Sequence, residues 1–547
     1  MNACADRYPC QHNHLRNSFL ITFSHLSILA MKNIFQPYRL AIITGLLFTF
    51  CQCEKNPPEA PVDTVYPETS LDQTGGAWKT YVLANGSEVP VDAPEAEGSA
   101  AYLSELAALK TNMAAASSEE KDLAVWWGGN GVLRWNKIAL ELAANYNVPP
   151  NYNADGTYPL PDPANPTAYP RFPFANPPVT SRALALLSVA QYDALVACWH
   201  YKFQYNRLAP YKNDASIQPL IPANDLPSYP SEDAVVAAAS RELLKFIFPG
   251  EVAYLTAKAE EHKNSRLWAG ANVPSDLSAG DSLGRIIALK VINDWAKKDK
   301  MGVSNNQAGF QAQRDAATAL GFTTQWHSLD IPIRPPMLPA FGNVKTWNFD
   351  EATKIAIRPA APPQPGTPAF ETALEELRQF SKKRSREQFR ITTFWADGVG
   401  TYTPPGHWNR RAAELIREKQ WNEIRTARAL ALLNTGMEDA GIACWDTKFY
   451  YLLPRPTEVD PSISTATGIP NFPAYASGHS TFSATAAEVL SYLFPEHESD
   501  LHAWAQEAAD SRVYGCIHYR FDSENGLVHG KKVGEFAVAR GRSDGSE

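Results

Sequence analysis

At 547 residues, with 44% apolar, 20% charged and 11% aromatic positions, the chain exceeds one ordinary hydrophobic core, which excludes a single small fold and suits two domains or one duplicated domain. A net charge of −8 lacks the basic excess that a polyanion would favour, so no nucleic-acid partner is expected. Forty-two prolines point to long ordered connections, and of seven cysteines only Cys198, Cys444 and Cys516 fall in the body. Those three show no metal-ligand spacing and read as buried small hydrophobes.

In chain order, residues 1–30 are polar and irregular, and Met31 is expected to be the true start. Met31-Lys-Asn, Arg39 and the apolar run 40–51 form an export signal that is too short to span a bilayer. The cysteines after it suggest a bacterial lipoprotein with a lipid anchor at Cys51 or Cys53, although the bulky Phe50 departs from that pattern and ordinary cleavage and secretion is the alternative. The protein is thus expected to be exported, periplasmic or anchored to the outer membrane. Residues 1–53 are assigned to export and 54–90 to a tether. No later segment holds about eighteen uninterrupted apolar residues, so the body is not expected to cross a membrane.

Apolar residues recur at three- and four-residue steps over 99–116, 131–146, 181–201, 231–248, 280–298, 370–395, 408–445, 480–494 and 498–512, which predicts helices. Strand-like alternation is scarce. Proline-rich connections at 148–180, 207–230 and 331–369 are too long for an up-and-down bundle. A displacement of 246 residues lays Arg182-Ala-Leu-Ala-Leu-Leu187 on Arg428-Ala-Leu-Ala-Leu-Leu433, Cys198-Trp199 on Cys444-Trp445, Lys202-Phe203 on Lys448-Phe449 and Ser265-Arg266 on Ser511-Arg512. One displacement serving several separated segments indicates duplication. The expected fold is all-α: two homologous helical bundles joined by long Pro-rich loops, with an N-terminal half at 91–330, a connection at 331–369 and a catalytic half at 370–540. Where the second half has Arg455, His479 and His518, the first has Ala209, Asp233 and Asn272. The first half therefore reads as scaffold, with at most a wall of a shared pocket.

Three segments of the second half carry chemistry. Trp445, Lys448 and Arg455 have helical spacings that share one stripe, and Pro454 and Pro456 should end that helix near Leu452, leaving Arg455 just beyond it. Ser477-Gly478-His479 opens a helix, where a hydroxyl and free N–H groups favour an anion. His518 and Asp522 are four apart, so the carboxylate can hold one ring nitrogen and aim the other; a break near Gly515 is needed for Arg512 to join them. Each segment alone has an ordinary reading, as a solvated helix end, a capping turn or a core histidine. Together, three cations, a Ser-Gly turn and two histidines suit an oxyanion such as phosphate or vanadate.

In order, Lys448-x6-Arg455-Pro456, Ser477-Gly478-His479 and Ser511-Arg512-x5-His518-x3-Asp522 resemble the vanadium-dependent haloperoxidase and type-2 phosphatidic acid phosphatase superfamily, over roughly residues 370–535. Ala476 stands where that family usually has proline, which should loosen the turn before Ser477. Phe394-Trp-Ala-Asp397-Gly, Thr403-Pro-Pro405, Trp445, Phe472 and His518-Tyr-Arg-Phe-Asp522 resemble the soluble, chloroperoxidase-like branch. The resemblance implies vanadate bound through His518, with Lys448, Arg455, Ser477, Gly478, His479 and Arg512 around its oxygens. It implies His479 as acid/base, Lys448 polarising bound peroxide, Asp522 behind His518, Asp397 supporting an arginine, and a halide pocket of Trp445 and Phe472. The partners implied are hydrogen peroxide, a halide, a small organic substrate and a second copy of the chain as a homodimer. Phosphate can occupy the same site, so phosphomonoester hydrolysis through a phosphohistidine at His518 is the second implied activity. A surface lipoprotein scaffold without turnover is the third reading.

Overall fold

In a computed structural model, residues 65–66, 70–148, 151–159 and 176–547 are described. The expected export segment with Cys51 and Cys53, and much of the tether, lie outside these residues. Among the described residues there are helices and no strands. Seven helices of the first half are α1 (Ala100–Ala115), α2 (Ser118–Trp127), α3 (Gly131–Tyr146), α4 (Pro177–Tyr205), α5 (Glu232–Ile247), α6 (Val252–Trp268) and α7 (Pro274–Val291). They recur in the same order in the second half as α8 (Pro368–Lys382), α9 (Arg386–Phe394), α10 (Thr403–Lys419), α11 (Glu423–Tyr451), α12 (Gly478–Leu493), α13 (Glu498–Tyr514) and α14 (Arg520–Gly541).

The repeat extends to single hydrogen bonds. Ser231 caps α5 through the Ala234 N–H, and Ser477 caps α12 through the Ser480 N–H. Arg182 pairs with Asp299 and donates to the Ala296 carbonyl; Arg428 pairs with Asp544 and donates to the Gly541 carbonyl. Asp193 accepts from the backbone N–H groups of Tyr81, Val82 and Leu83, and Asp439, its counterpart, from those of Trp347 and Asn348. In each half a buried carboxylate therefore pins the segment that enters its bundle.

The helices α4 and α11 pack along each other at the centre, and nearly every residue of both is buried. Apolar residues on all sides leave no solvent face, which marks a helix made for the interior. The stretch Pro177–Asn213 is long and apolar enough to cross a membrane, yet 94% of its apolar window is covered by the rest of the protein. Beside this pair, Asn136 donates to Asn409, Asn409 to Asn434, and Asn434 to Ser188, so a chain of buried amides links the halves. The main hydrophobic cluster runs through both halves, a smaller one lies around Tyr102 and Leu109, and the described residues form one compact unit. Cys198, Cys444 and Cys516 are free and buried, as their isolation in the sequence suggests.

Two predicted helices are each broken in two. The stretch 370–395 divides because Ser385 forms a capping box with Gln388 and opens α9; 408–445 divides because Gln420 turns left-handed and Asn422 caps α11. The helix α14 was not anticipated, since glycines interrupt its pattern. They serve contact instead: a Cβ on Gly530 would lie 2.2 Å from the Thr481 carbonyl oxygen, and one on Gly284 2.2 Å from that of Val235. Only glycine admits α14 against α12, and α7 against α5, at this distance.

Candidate active site

Lys448 lies in the last turn of α11, which ends at Tyr451 with Leu452 left-handed as its cap. Arg455 then stands as the N-cap of a short turn at Pro456–Val459, where its backbone N–H donates to Glu458 at 2.6 Å. The shared stripe therefore holds for Trp445 and Lys448 only; Arg455 arrives from beyond the helix. Its Nε donates to the Phe472 carbonyl at 3.0 Å and its Nη1 to the Ile517 carbonyl at 2.8 Å, whereas Nη2 is buried without a partner. The Lys448 ammonium, fully buried, donates to the carbonyls of Pro473, Ala474 and Ala476 at 2.6–2.9 Å. It is thus held by the 473–476 loop.

That loop leads into α12. The Tyr475–Ala476 peptide is cis, as is Tyr229–Pro230 at the equivalent place in the first half. The turn is not loosened by the loss of proline: Ala476 is fully buried, with its carbonyl accepting from Lys448 and from Cys444. Ser477 accepts from the Ser480 N–H as N-cap. A Cβ on Gly478 would meet nothing nearer than the Trp445 indole, at 3.9 Å, so the first turn of α12 opens onto free space. The Nε2 of His479 is buried at its edge without a partner.

Gly515 caps α13 after Tyr514, the break that brings Arg512 and His518 together. Arg512 donates to Ser511 Oγ at 2.9 Å and to the Trp395 carbonyl at 2.6 Å. His518 precedes Tyr519, the N-cap of α14, and Asp522 sits in that helix's first turn. Their pairing is therefore a feature of the cap, not of a helix interior. The Asp522 carboxylate faces His518 Nδ1 at 2.9 Å and accepts from the Tyr519 N–H at 3.0 Å. Arg455 Nη1 lies 3.0 Å from His518 Nε2. A guanidinium only donates, so Nε2 carries the lone pair and Nδ1 the hydrogen.

Electrostatics mark this cluster as short of negative charge. Burial, then repulsion from Arg455 and Lys448, holds His518 well below its usual pKa; burial, then Arg512, does the same to His479. Burial lowers Arg455 and Arg512 to about 10 each, and holds Lys448 well below the lysine range. Burial also raises Asp522 toward its neutral form. Buried cations without matching carboxylates are costly, and a bound anion would relieve that cost.

A cavity of about 410 Å³ opens beside this cluster; Arg512, His479 and His518 line it, whereas Lys448, Arg455, Ser477 and Asp522 do not. Gly478, His479, Arg512 and His518 line its floor, and Trp445 and Phe472, with ring centroids 4.8 Å apart, line its side. Lys448 Nζ and the Arg455 guanidinium carbon each lie 5.1 Å from the Phe472 centroid, so that ring faces two cations. The first half contributes Asn147 and Pro177, and the connection Arg334 and Met337. These were missed in the sequence because they lie far from the motifs and form no pattern of their own. Asp397 also reaches the cavity, but it pairs with His407 Nδ1 at 3.2 Å, and His407 stacks on Trp395 at 4.4 Å. The expected support of an arginine is therefore limited to the charge that Arg512 feels, since the guanidinium is occupied by Ser511 and by backbone carbonyls.

In the first half the same framework is self-neutralised. Glu232 and Asp233 stand in the register of Gly478 and His479. Lys202 pairs with Glu232 at 2.6 Å, His262 Nε2 with Asp233 at 2.8 Å, Arg266 with Asp233 at 3.5 Å and Arg207 with Asp276 at 3.6 Å. Carboxylates thus occupy the place where a ligand's negative charge would go.

The second-half residues fit a vanadate or phosphate group. Arg455 Nη2 and His479 Nε2 lack partners, His518 Nε2 offers a lone pair, and the space beside Gly478 is open. Guanidinium and imidazole groups beside a helix N-terminus are a donor set that favours an oxyanion.

Neither a protein-family model nor a curated protein matches the sequence. Among solved structures, the fold is similar to that of the first bacterial vanadium-dependent iodoperoxidase, with 24% identity and a TM-score of 0.52 over 66% of this chain and 91% of that one. A holo-type bacterial vanadium-dependent chloroperoxidase aligns at 14% identity and a TM-score of 0.48, over 71% of this chain and 97% of that one. What the chain shares with the iodoperoxidase is its all-α fold.

Proposed function

We propose that this chain is a vanadate-dependent haloperoxidase, oxidising a halide with hydrogen peroxide to hypohalous acid. The observation that carries the reading is that Arg455, with Nη2 unpartnered, contacts His518 Nε2, while His479, with Nε2 unpartnered, lines one cavity with His518 and Gly478 at the start of α12.

His518 Nε2 would be the protein ligand to a bound vanadate, and Asp522 holds the Nδ1 hydrogen that keeps this tautomer. Arg455, Arg512 and Lys448 balance the oxyanion's charge, while Ser477 and the Gly478 N–H offer donors at a helix N-terminus. When bound, vanadate supplies Lewis-acid activation of peroxide toward halide without a change in oxidation state. His479, neutral at rest because burial and Arg512 disfavour its charged form, accepts a proton from entering peroxide at Nε2. Trp445 and Phe472 give the halide an apolar, polarisable surface beside Lys448.

The test is halogenation of monochlorodimedone with peroxide and iodide, bromide or chloride, with and without orthovanadate, alongside hydrolysis of p-nitrophenyl phosphate. Vanadate-dependent halogenation that is lost in His518→Ala is the expected result. Hydrolysis alone would identify a phosphatase that uses the same His518 and His479, and silence in both assays a scaffold. On the sequence of 31–53 we also propose an exported lipoprotein; metabolic labelling with palmitate that survives both Cys51→Ser and Cys53→Ser would overturn the anchor.

A further inference from the structure

The inner end of the cavity gathers Arg512, His479 and His518, but one more cation lines it from outside the anion cluster. Arg334 belongs to the connection between the halves, next to Ile333, which is 78% exposed. Its side chain is 18% exposed and makes no hydrogen bond to another described residue. The nearest carboxylate is Asp330, whose Oδ2 is 3.7 Å from Nη1 and whose own side chain is 45% exposed. At that distance and exposure the pair is weak. Burial accordingly lowers the Arg334 pKa, because Asp330 and Tyr158 return too little.

The cavity that Arg334 lines is largely apolar, with Met337, Val399, Pro404, Ile469, Pro470 and Phe472 among its lining, beside a few polar groups such as Asn147, Asn471 and Asp397. An arginine largely withdrawn from water, paired only loosely with an exposed aspartate, and set among apolar side chains is the arrangement that recognises one anionic group on an otherwise apolar molecule. A halide alone does not need that lining. We infer that Arg334 anchors the carboxylate of an apolar organic acid, whose carbon skeleton lies along Ile469, Pro470 and Phe472. This rests on the haloperoxidase reading for its purpose, since such an acid is then the molecule halogenated in the cavity. The binding itself requires no turnover.

The experiment is calorimetric titration of the full chain with 2-naphthoate and with its neutral analogue 2-naphthamide, each in the presence and absence of orthovanadate. Wild type is expected to bind the carboxylate about tenfold or more tighter than the amide, as a charge-assisted contact supplies. Arg334→Gln should bring the two within about twofold while leaving amide affinity unchanged, which also shows that the pocket is intact; Arg334→Lys should keep most of the preference. The proposal is overturned if neither ligand binds, if the preference survives Arg334→Gln, or if orthovanadate displaces the naphthoate, which would place the acid on Arg455 and Arg512. A protein that fails to halogenate but shows the expected titration would sink the haloperoxidase reading and leave the Arg334 site standing.

Discussion

Arg455 Nη1 sits 3.0 Å from His518 Nε2, on the lone pair that the proposed ligand would take. The contact assigns the tautomer, and it makes Asp522 the group that keeps the hydrogen on the far nitrogen. Asp522→Asn should therefore weaken orthovanadate binding by about 10–100-fold, the usual cost of losing a carboxylate behind a ligating histidine. Equilibrium dialysis checks this; wild-type affinity in the variant would remove Asp522 from the role.

Each chain should bind one orthovanadate, not two, although both halves keep the lysine and the Ser-Arg pair. Glu232 and Asp233 already supply the negative charge in the first half. Titration calorimetry should give a stoichiometry near one for wild type and no binding for His518→Ala. Residual binding in that variant at the affinity of wild type would show that the first-half site is open.

Lys448 links binding to pH. Burial holds its ammonium well below the lysine range in the empty site, and an oxyanion beside it would raise that pKa again. Above the lowered value, binding must take up a proton, so affinity should fall as pH rises toward the ~10.4 of a free lysine. Lys448→Met, compared with wild type across that range, should bind more weakly and lose this component of the slope.

Stability has its own pH dependence, centred on α11. Burial raises Glu438 to about 8 and Asp439 to about 7. The folded state then holds protons that the unfolded chain releases near pH 4–5, so stability is full in acid and declines as pH rises toward 8. The loss per group is at most ~1.4 kcal/mol per pH unit. Glu438→Gln keeps an acceptor for the Trp347 indole, which donates to Glu438 at 2.6 Å. Melting temperatures at pH 5.5 and 7.5 should differ less in that variant than in wild type.

Much of this is legible in the sequence. The displacement of 246 residues identifies the duplication because Arg428, Cys444, Lys448 and Arg512 each repeat a first-half residue; Arg428 and Cys444 also keep equivalent partners, whereas Lys202 and Arg266 pair with carboxylates that Lys448 and Arg512 lack. The cluster of Lys448, Arg455, His479, Arg512 and His518 was legible because the motifs have fixed spacings and proline and glycine mark where the helices stop. What was not legible depended on tertiary contact. Gly526, Gly530 and Gly534 lower helix propensity in α14, and only the approach of α12 explains them. Arg334 and Met337 carry no periodic signal, and His407 captures Asp397 only because the loop before α10 folds back over Trp395. The carbonyls that hold Lys448 come from the 473–476 loop, and side-chain spacing says nothing about backbone acceptors.

The embrace of α4 and α11 makes this a molecule that cannot be divided. Each supplies the other's missing wall, and neither has a face suited to water. A protease cut in the 331–369 connection should leave two fragments that stay associated and migrate as one particle, whereas either fragment expressed by itself should collapse into aggregate.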